Sequence, residues 1–402
     1  MEDKTARSTG RGPLTSQREP VLFFDPSSCF NPSMASLHFK ALCHSWVALH
    51  AKPKGVIQFI GGAFFGTFAP TLFYRHLLQF FFDQSYSIII YPFNFSFNHY
   101  KESFFLLREQ YALAPALMKL AAAQGDDPLF YLESKNYIWF GHSIGCKYVA
   151  LLEAADQLPE GHEQLRQHIA KILERPLDQE KNVILVDQIA RQLERLIEDV
   201  KRESLASQAA AINLMAREDE DAMKRCHKTS LIYANLYIKD QTSVLLAPVT
   251  SDTSSAVRPK AFAEWLDRRG WGVQPTAKVT RNLIQESNLF NLLVLAEFQA
   301  DQIAKETIQW FYTCLEKPAE PDRRRLAGGH LRPLGFSLGQ SVINPWFDLP
   351  FITSIRARNQ SLEELIGREL QAILNRLRPT VANEQPDPII KRQVPSFEGS
   401  SM

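Results

Sequence analysis

The sequence predicts an α/β protein whose sheet is mostly parallel and carries helices on both faces. Short apolar segments of strand length alternate along the chain with segments whose apolar residues recur at helical spacing. Two glycine-rich turns, "GGAFFG" at 61–66 and "GHSIG" at 141–145, each follow a strand-like segment. A chain of 402 residues with 45% hydrophobic residues is also long enough to bury the large core that such a sheet needs.

The first part of the chain contains the regular alternation. Apolar stretches bounded by Pro, Gly or Lys have the length and composition of strands, and a continuous apolar run indicates a buried strand. Strand, glycine turn, helix and strand in succession is the order that builds parallel pairing. The predicted strands are 20–24, 45–51, 55–60 and 86–92, and the predicted helices are 71–82 and 103–123.

The alternation is interrupted once, by a charged and helical segment at 158–230. A helical hairpin with a solvated outer face would explain it, but its position after the helix that follows "GHSIG" favours a cap inserted over a pocket. We therefore expect five sections of chain. They are a disordered leader at 1–19, the first part of the α/β core at 20–157, the helical cap at 158–230, the second part of the core at 231–378 and a disordered tail at 379–402.

The sheet pattern resumes after the insertion. Apolar runs predict strands at 243–249 and 289–298, with a mixed region between them and a helical segment after the second. The last predicted helix covers 361–377, and Ser361 with Glu364 fits a capping box at its start.

The composition argues against several classes of function. The 45 Lys and Arg against 44 Asp and Glu leave a net charge of +1, so no long-range field favours nucleic acid. The five cysteines lack the spacing of a disulfide framework or a zinc site, which indicates a reducing compartment. No uncharged apolar run reaches the roughly 20 residues that a transmembrane helix needs. Without a P-loop, dinucleotide or metal motif, we expect no cofactor, no metal and a cytoplasmic location, or the plastid stroma in a photosynthetic eukaryote.

Ser143 lies between a strand-like and a helix-like segment. The run Gly141-His142-Ser143-Ile144-Gly145 matches G-x-S-x-G, the nucleophile elbow in which a strained turn lifts the serine out of the chain. The crowded turn leaves no room for a side chain at either glycine. A small residue in a tight corner would give the same letters, but the strand before and the helix after are what the elbow requires. We therefore predict that Ser143 is a nucleophile.

A serine nucleophile needs a histidine base, and that histidine needs a carboxylate. Chains with this elbow place them in the order serine, acid, histidine. After His227 the sequence has one histidine, His330 in "LAGGHLRP", which would otherwise be an ordinary surface-loop residue. Asp301 follows an apolar strand at the carboxyl edge of the sheet, although it would also serve as a helix N-cap. Glu297 and Asp252 are the rival acids.

The reaction of a serine nucleophile also needs N–H groups that stabilise an oxyanion. We expect them from Ile144 and from Gly62 or Ala63, although the glycines of that loop would also be explained by the turn alone. Aromatic residues on nearby loops suggest an apolar, lipid-like acyl substrate, while side chains of this kind are usually core. The candidates for the substrate pocket are Phe64, Phe65 and His99.

The chain also resembles a known family. The resemblance covers about residues 20–340 and rests on "GVIQFIGGAFFGTFAPTLFYRHLL", "YPFNFSFNHY", "FGHSIGCKY", "FQADQIAKET" and "GGHLRP". These segments are similar to the cyanobacterial and plastid α/β-hydrolase-like family catalogued as domain of unknown function 1350. The resemblance implies an α/β-hydrolase fold with an eight-stranded, mostly parallel sheet, and it puts Ser143, Asp301 and His330 at the nucleophile, acid and base positions. It implies no particular substrate and leaves the role of 331–360 open.

Two functions remain in competition. The first is a serine hydrolase that acts on an ester or thioester through an acyl-enzyme. The second is a non-catalytic scaffold that uses the helical insertion as a binding or assembly surface, since a fold alone does not establish activity. The complete set of nucleophile, base and acid favours the enzyme.

Overall fold

The computed structural model describes most of the chain from residue 36 to residue 377. The described residues are 36–218, 238, 241–253, 259–269, 271–287, 293–314, 325–338, 341–345, 353–357 and 361–377. They all belong to one compact unit, Ser36–Met402. The expected leader, the strand expected at 20–24, the end of the insertion at 219–230 and the tail at 379–402 lie outside the described residues.

Within the described residues, one sheet of eight strands forms the centre of the fold. The strands are β1 (Lys40–Leu42), β2 (Ser45–Ala48), β3 (Gly55–Ile60), β4 (Tyr86–Ile90), β5 (Tyr137–His142), β6 (Thr242–Leu246), β7 (Leu293–Phe298) and β8 (Arg325–Leu326). Their order across the sheet is β1-β2-β4-β3-β5-β6-β7-β8. β2 pairs antiparallel with β1 and β4, whereas the pairs from β4 to β8 are parallel. The expected eight-stranded, mostly parallel sheet is therefore confirmed.

The central strands are apolar along their length because both faces of the sheet are covered. Every residue of β3, β4, β5 and β6 is buried. β5 lies between β3 and β6, with Ile138 opposite Ile57 on one side and Thr242 on the other. The chain that leaves the carboxyl end of β5 therefore emerges at the middle of the sheet edge, where ligands of open α/β sheets bind.

Helices connect the strands and cover the sheet. In chain order they are α1 (Pro70–Phe73), α2 (Arg75–Asp83), α3 (His99–Gln124), α4 (Ile144–Ala155), α5 (His162–Leu173), α6 (Glu180–Glu218), α7 (Lys260–Arg268), α8 (Ala277–Glu286), α9 (Lys305–Cys314) and α10 (Ser361–Leu377). The helix between β4 and β5, α3, begins where the Asn98 side chain accepts a hydrogen bond from the Lys101 amide at 3.0 Å. It ends at Gly125, whose φ of 77° is left-handed.

α5 and α6 fall in the insertion predicted at 158–230. The inner face of α6 buries Val186, Ala190, Leu193 and Val200, and the helix packs along α3. The insertion is also joined to α8, because the Asn282 side chain donates to the Ile172 carbonyl at 2.8 Å. That this segment caps a substrate pocket stays a prediction.

Several elements were missed by the sequence prediction. β1 and β8 are three and two residues long, too short to show a hydrophobic period. The region between β6 and β7 that the sequence left mixed contains α7 and α8. Part of the segment 331–360, whose role was open, forms a second, antiparallel sheet of β9 (Phe336–Leu338), β10 (Ser341–Pro345) and β11 (Thr353–Ala357).

Among the helices of the described residues, none combines the length and the apolar character that crossing a bilayer requires.

Candidate active site

Ser143 occupies a strained turn between β5 and α4. Its φ of 56° and ψ of −119° are costly for a residue with a side chain. The two glycines of the motif make the turn possible by close approach. A Cβ at Gly141 would lie 2.7 Å from the Cys146 backbone, and one at Gly145 would lie 2.3 Å from the Ile60 carbonyl oxygen. Only glycine fits at these two positions, which is the reason that the sequence pattern suggested.

The turn is held by the last residue of the neighbouring strand β6 and by the chain that follows it. The Ser143 amide donates to the Leu246 carbonyl at 3.0 Å, and the Ser143 carbonyl accepts from the Val249 amide at 3.2 Å. These bonds fix the serine backbone from the β6 side of the sheet and leave its side chain half-buried.

The three residues predicted for catalysis lie together at the carboxyl edge of the sheet. His330 Nε2 is 2.8 Å from Ser143 Oγ. On the other side of the ring, His330 Nδ1 is 2.9 Å from Asp301 Oδ2. Ser143 follows β5, Asp301 follows β7 and His330 follows β8, so three separate strand ends supply one hydrogen-bonded series. This is the arrangement that lets a carboxylate orient an imidazole and an imidazole deprotonate a hydroxyl.

Asp301 uses its two carboxylate oxygens differently. Oδ2 faces His330, whereas Oδ1 accepts the amides of Ile303 at 2.8 Å and Ala304 at 3.0 Å. Because α9 begins only at Lys305, Asp301 is not an N-cap; it holds the turn that leads into the helix. Burial raises the pKa of Asp301, but the hydrogen bond to His330, the charge of that ring and the two amides outweigh it and leave the pKa below its ordinary value. The group is therefore a carboxylate at neutral pH.

The rival acids have other places. Asp252 follows β6, and its Oδ1 accepts the amide of Ala277 at 2.6 Å, at the first residue of α8. Glu297 lies within β7, where its backbone pairs with Arg325 of β8. Of the three acids that the sequence left open, Asp301 is the one whose carboxylate is hydrogen-bonded to His330.

The expected oxyanion-hole amides are not equivalent. The Gly62 N–H donates to the Tyr74 hydroxyl at 2.7 Å and is therefore already used. The amides of Ile144, at the start of α4, and of Ala63, in an exposed stretch of the loop, donate no hydrogen bond to another described part of the chain. Of the two loop amides that the sequence left open, that of Gly62 is bonded to Tyr74 and that of Ala63 makes no hydrogen bond to another described residue.

The candidate pocket residues differ in exposure. Phe64 exposes 53% of its surface, whereas Phe65 and His99 are buried. The His99 ring packs against Tyr148 with 5.4 Å between ring centroids. Burial, together with the nearby Lys147 charge, lowers the pKa of His99 to about 3, so its ring is neutral. Of these three candidates, only Phe64 presents a large surface to a ligand.

Lys147 is a buried cation close to the elbow that the sequence did not reveal. Its Nζ donates to the Ser251 carbonyl at 3.0 Å and to the Pro275 carbonyl at 2.6 Å. Burial lowers the pKa of Lys147 to about 7, although the charge of Asp252 opposes this. Lys147 thus connects α4 to the turn after β6 and to the turn before α8. A single lysine within an apolar helix gives no sequence signal of such a role.

Cys146 offers no competing nucleophile. Its side chain is buried, its thiol donates to the Leu246 carbonyl at 3.5 Å, and burial raises the pKa of the thiol. Within the described ranges, no three His, Cys, Asp or Glu side chains converge as a metal site would require.

The strand order, the helices on both faces and the strained elbow after the central strand define an α/β-hydrolase fold. Residues 38–159 match the family described as "Protein of unknown function (DUF1350)". Over that range the match confirms the resemblance seen in the sequence, and it includes the glycine loop after β3 and the Ser143 elbow. No curated protein matches the sequence.

Solved structures with a similar shape include bacterial esterases. The butyrate-bound thermophilic esterase Est2 from the Planctomycetes species Thermogutta terrifontis is 13% identical, with a TM-score of 0.38 and coverage of 85% of this chain and 96% of that chain. The same esterase phosphonylated by sarin is 12% identical, with a TM-score of 0.33 and coverage of 74% and 85%. Inhibited esterase B from Lactobacillus rhamnosis is 9% identical, with a TM-score of 0.32 and coverage of 71% and 68%. Likeness at this level carries no weight for the reaction.

Proposed function

We propose that the protein is a serine hydrolase that cleaves a carboxylic ester or thioester through an acyl-enzyme on Ser143. The observation that carries this proposal is the hydrogen-bonded series of Ser143, His330 and Asp301, with distances of 2.8 Å and 2.9 Å. The strained backbone of Ser143 is a second support, because strain of this kind persists where function requires it.

The charge of Asp301 determines how the series would work. As a carboxylate it can only accept, so the His330 ring donates its Nδ1 proton to Asp301 Oδ2. The lone pair of Nε2 is then free to accept the Ser143 hydroxyl proton. This is the neutral tautomer that a general base needs.

The reaction follows from that tautomer. Ser143 Oγ attacks the carbonyl carbon of the substrate while its proton passes to His330 Nε2, and the carbonyl electron pair becomes an oxyanion. We infer that the amides of Ile144 and Ala63 stabilise this oxyanion. When the carbonyl re-forms, the C–O or C–S bond breaks and the leaving alcohol or thiol takes the Nε2 proton. Water then repeats the sequence on the acyl-enzyme and releases a carboxylic acid.

We further propose an apolar, lipid-like acyl group. The loops that follow β3 and β4 expose Phe64, Phe68 and Phe95 to 53%, 59% and 64%. The rings of Phe64 and Phe68 lie 5.0 Å apart. Aromatic side chains at the carboxyl edge, where ligands of such sheets bind, supply apolar contact area rather than charge.

A fluorophosphonate probe tests the reaction. Wild type should be labelled in the native state, and Ser143→Ala and His330→Ala should not. Cys146→Ala is the matched control, because it removes a buried thiol three residues from Ser143 and should keep the label. An unlabelled wild type, or equal labelling of Ser143→Ala, would favour the non-catalytic scaffold.

A series of aryl esters tests the acyl group. If apolar contact drives binding, kcat/KM rises with acyl length by up to about fourfold per methylene, the equivalent of about 0.8 kcal/mol. Phe64→Ala should flatten this dependence. Leu205→Ala, which removes an exposed apolar side chain from α6, should leave it unchanged. A wild type that prefers acetate to longer esters would contradict the lipid-like substrate.

A further inference from the structure

A chain of hydrogen bonds runs through His142, the residue before Ser143, and joins the loop after β3 to the loop that carries His330. The Gly62 amide lies 2.7 Å from Tyr74 Oη, which lies 2.8 Å from His142 Nδ1. The other ring nitrogen, His142 Nε2, lies 2.9 Å from the main-chain carbonyl oxygen of His330. The chain thus begins in the loop after β3 and ends on the backbone of the proposed base.

With a neutral His142 ring, the direction of every bond in this chain is fixed. A peptide N–H can only donate, so Tyr74 Oη accepts from Gly62 and its single proton goes to His142 Nδ1. His142 Nδ1 is then an acceptor without a proton. The ring carries its proton on Nε2, where the His330 carbonyl can only accept. No other assignment with a neutral His142 ring keeps all three bonds, because a neutral imidazole has one N–H and the His330 carbonyl requires it on Nε2.

Burial holds the chain in this state. Tyr74 and His142 are 0% and 1% exposed. Burial, and next the charge of His330, lower the pKa of His142 to about 3. Burial likewise raises the pKa of the Tyr74 hydroxyl. Both groups therefore stay neutral across the physiological range, and water does not compete for their hydrogen bonds.

The chain connects parts of the site that need a fixed separation. Gly62 directly precedes Ala63, whose amide we propose as an oxyanion donor. His330 is the proposed base, and its backbone position determines where Nε2 meets Ser143 Oγ. A displacement of about 1 Å in such a group costs on the order of 100-fold in rate.

We propose that Tyr74 and His142 are positioning residues that set the oxyanion loop and the His330 backbone relative to Ser143. The inference rests on the proposed hydrolase function. Neither side chain touches the reacting atoms; each acts through the backbone that it binds. The residue between the first glycine and the serine of the G-x-S-x-G motif thereby gains a role in this chain.

Tyr74→Phe removes the central hydroxyl and keeps the ring. The concentration of active enzyme is measured by titrating Ser143 with the fluorophosphonate. Per active enzyme, we expect kcat to fall about 10- to 100-fold while KM changes by no more than about twofold. Tyr131→Phe is the matched control, because Tyr131 is equally buried and its hydroxyl lies 3.0 Å from Ser87 Oγ, in a pair that includes no active-site residue. It should keep the wild-type kcat.

A second pair of variants tests whether the chain acts as one unit. His142→Phe should lose as much kcat as Tyr74→Phe or more, and the double variant should be no worse than His142→Phe alone. His142→Gln keeps a side-chain amide that can donate to the His330 carbonyl, so it should recover part of the loss. Losses that multiply in the double variant, or a Tyr74→Phe enzyme within about twofold of wild type, would overturn the inference.

Histidine-selective ¹⁵N spectroscopy of wild type covers the case in which the variants do not fold. His142 should carry its proton on Nε2 and should not titrate between about pH 5 and pH 8. A proton on Nδ1, or a titration in that range, would overturn the proposed chain of hydrogen bonds. If the probe does not label wild type, the proposed hydrolase function is refuted. If wild type is labelled but Tyr74→Phe keeps the wild-type kcat, only the positioning role of Tyr74 and His142 is refuted.

Discussion

Asp301 gives the sharpest test because its two oxygens have separable tasks. In Asp301→Asn, the amide carbonyl oxygen must face the Ile303 and Ala304 amides, since an NH₂ group there would meet two donors. The NH₂ group then occupies the place of Oδ2 and faces His330 Nδ1. A donor at that position forces the imidazole proton onto Nε2. The ring would then point a proton at Ser143 Oγ and could not accept one.

The two tasks predict two magnitudes. The wrong tautomer costs about 10⁴-fold in kcat where this substitution has been made in a serine triad, which is equivalent to about 5 kcal/mol of activation free energy. The free energy of unfolding should change by no more than about 1 kcal/mol, because Asn keeps the acceptor and loses only the charge. Asp301→Ala removes both functions. It leaves the buried Ala304 amide without its acceptor, which costs about 1 to 3 kcal/mol of stability.

Two assays separate these effects. The kcat per folded enzyme measures the effect of the imidazole tautomer, and urea unfolding measures how much the turn at Asp301 contributes to the free energy of unfolding. Thr276→Ala is a control for the second effect alone, since Thr276 Oγ1 accepts the Val279 amide at 3.3 Å at the start of α8. It should lose about 1 kcal/mol of stability and keep its kcat. An Asp301→Asn enzyme with more than about a tenth of wild-type kcat would refute the assignment of Asp301 as the orienting acid.

The pH dependence of stability in acid provides a third test of the Asp301 assignment. The pKa of Asp301 is lower in the folded protein than its ordinary value, so its contribution to stability is present above the ordinary carboxyl pKa of about 4. That contribution is lost as the pH falls through the depressed value. Asp301→Asn has no such group, and its stability should depend less steeply on pH below about 4. Parallel curves for the two proteins would contradict the depressed pKa.

Two further predictions concern the fold. Gly145→Ala should lower the free energy of unfolding by about 1 to 3 kcal/mol, since its Cβ would lie 2.3 Å from a β3 carbonyl oxygen. Gly367→Ala in α10, where the nearest atom to a Cβ is 3.7 Å away, should instead raise it by about 0.5 to 1 kcal/mol; equal effects in urea unfolding would contradict both. The pKa of His162 is raised by its hydrogen bonds to Glu194 and then Asp187 on α6. Its contribution is therefore complete below the ordinary histidine pKa of about 6.5 and is lost as the pH rises through the folded value. His162→Gln should remove that part of the pH dependence from thermal unfolding, and an unchanged profile would refute the contact.

The core of the sheet was predictable because burial on both faces leaves a direct trace in the sequence. Strands such as "GVIQFI" and "YSIII" are continuous apolar runs. β8 has only two residues and pairs with the end of β7, so no window of sequence contains its period. α7 and α8 were missed for another reason. They occupy a long excursion between β6 and β7, where the strand-helix alternation no longer guides the assignment.

The insertion shows how far charge patterning goes. Its amphipathic faces predicted helices, and α5 and α6 are there. The same pattern would suit a helix that packs on α3, one that closes a pocket, or one that does both. A hydrophobic stripe specifies that a face is buried but does not specify against which partner.

The residues of the candidate site also differ in how far the sequence could predict them. The contact of Ser143, His330 and Asp301 was predictable because a serine nucleophile would require a base and an acid in a known chain order. Tyr74 and His142 were not, because their roles consist of single hydrogen bonds between residues 68 and 188 positions apart. Tyr74 reads in the sequence as one more aromatic residue of an apolar helical run. A sequence therefore reveals candidate reacting groups more readily than the residues that would hold them in place, and a triad proposed from sequence alone lacks the contacts that would position it.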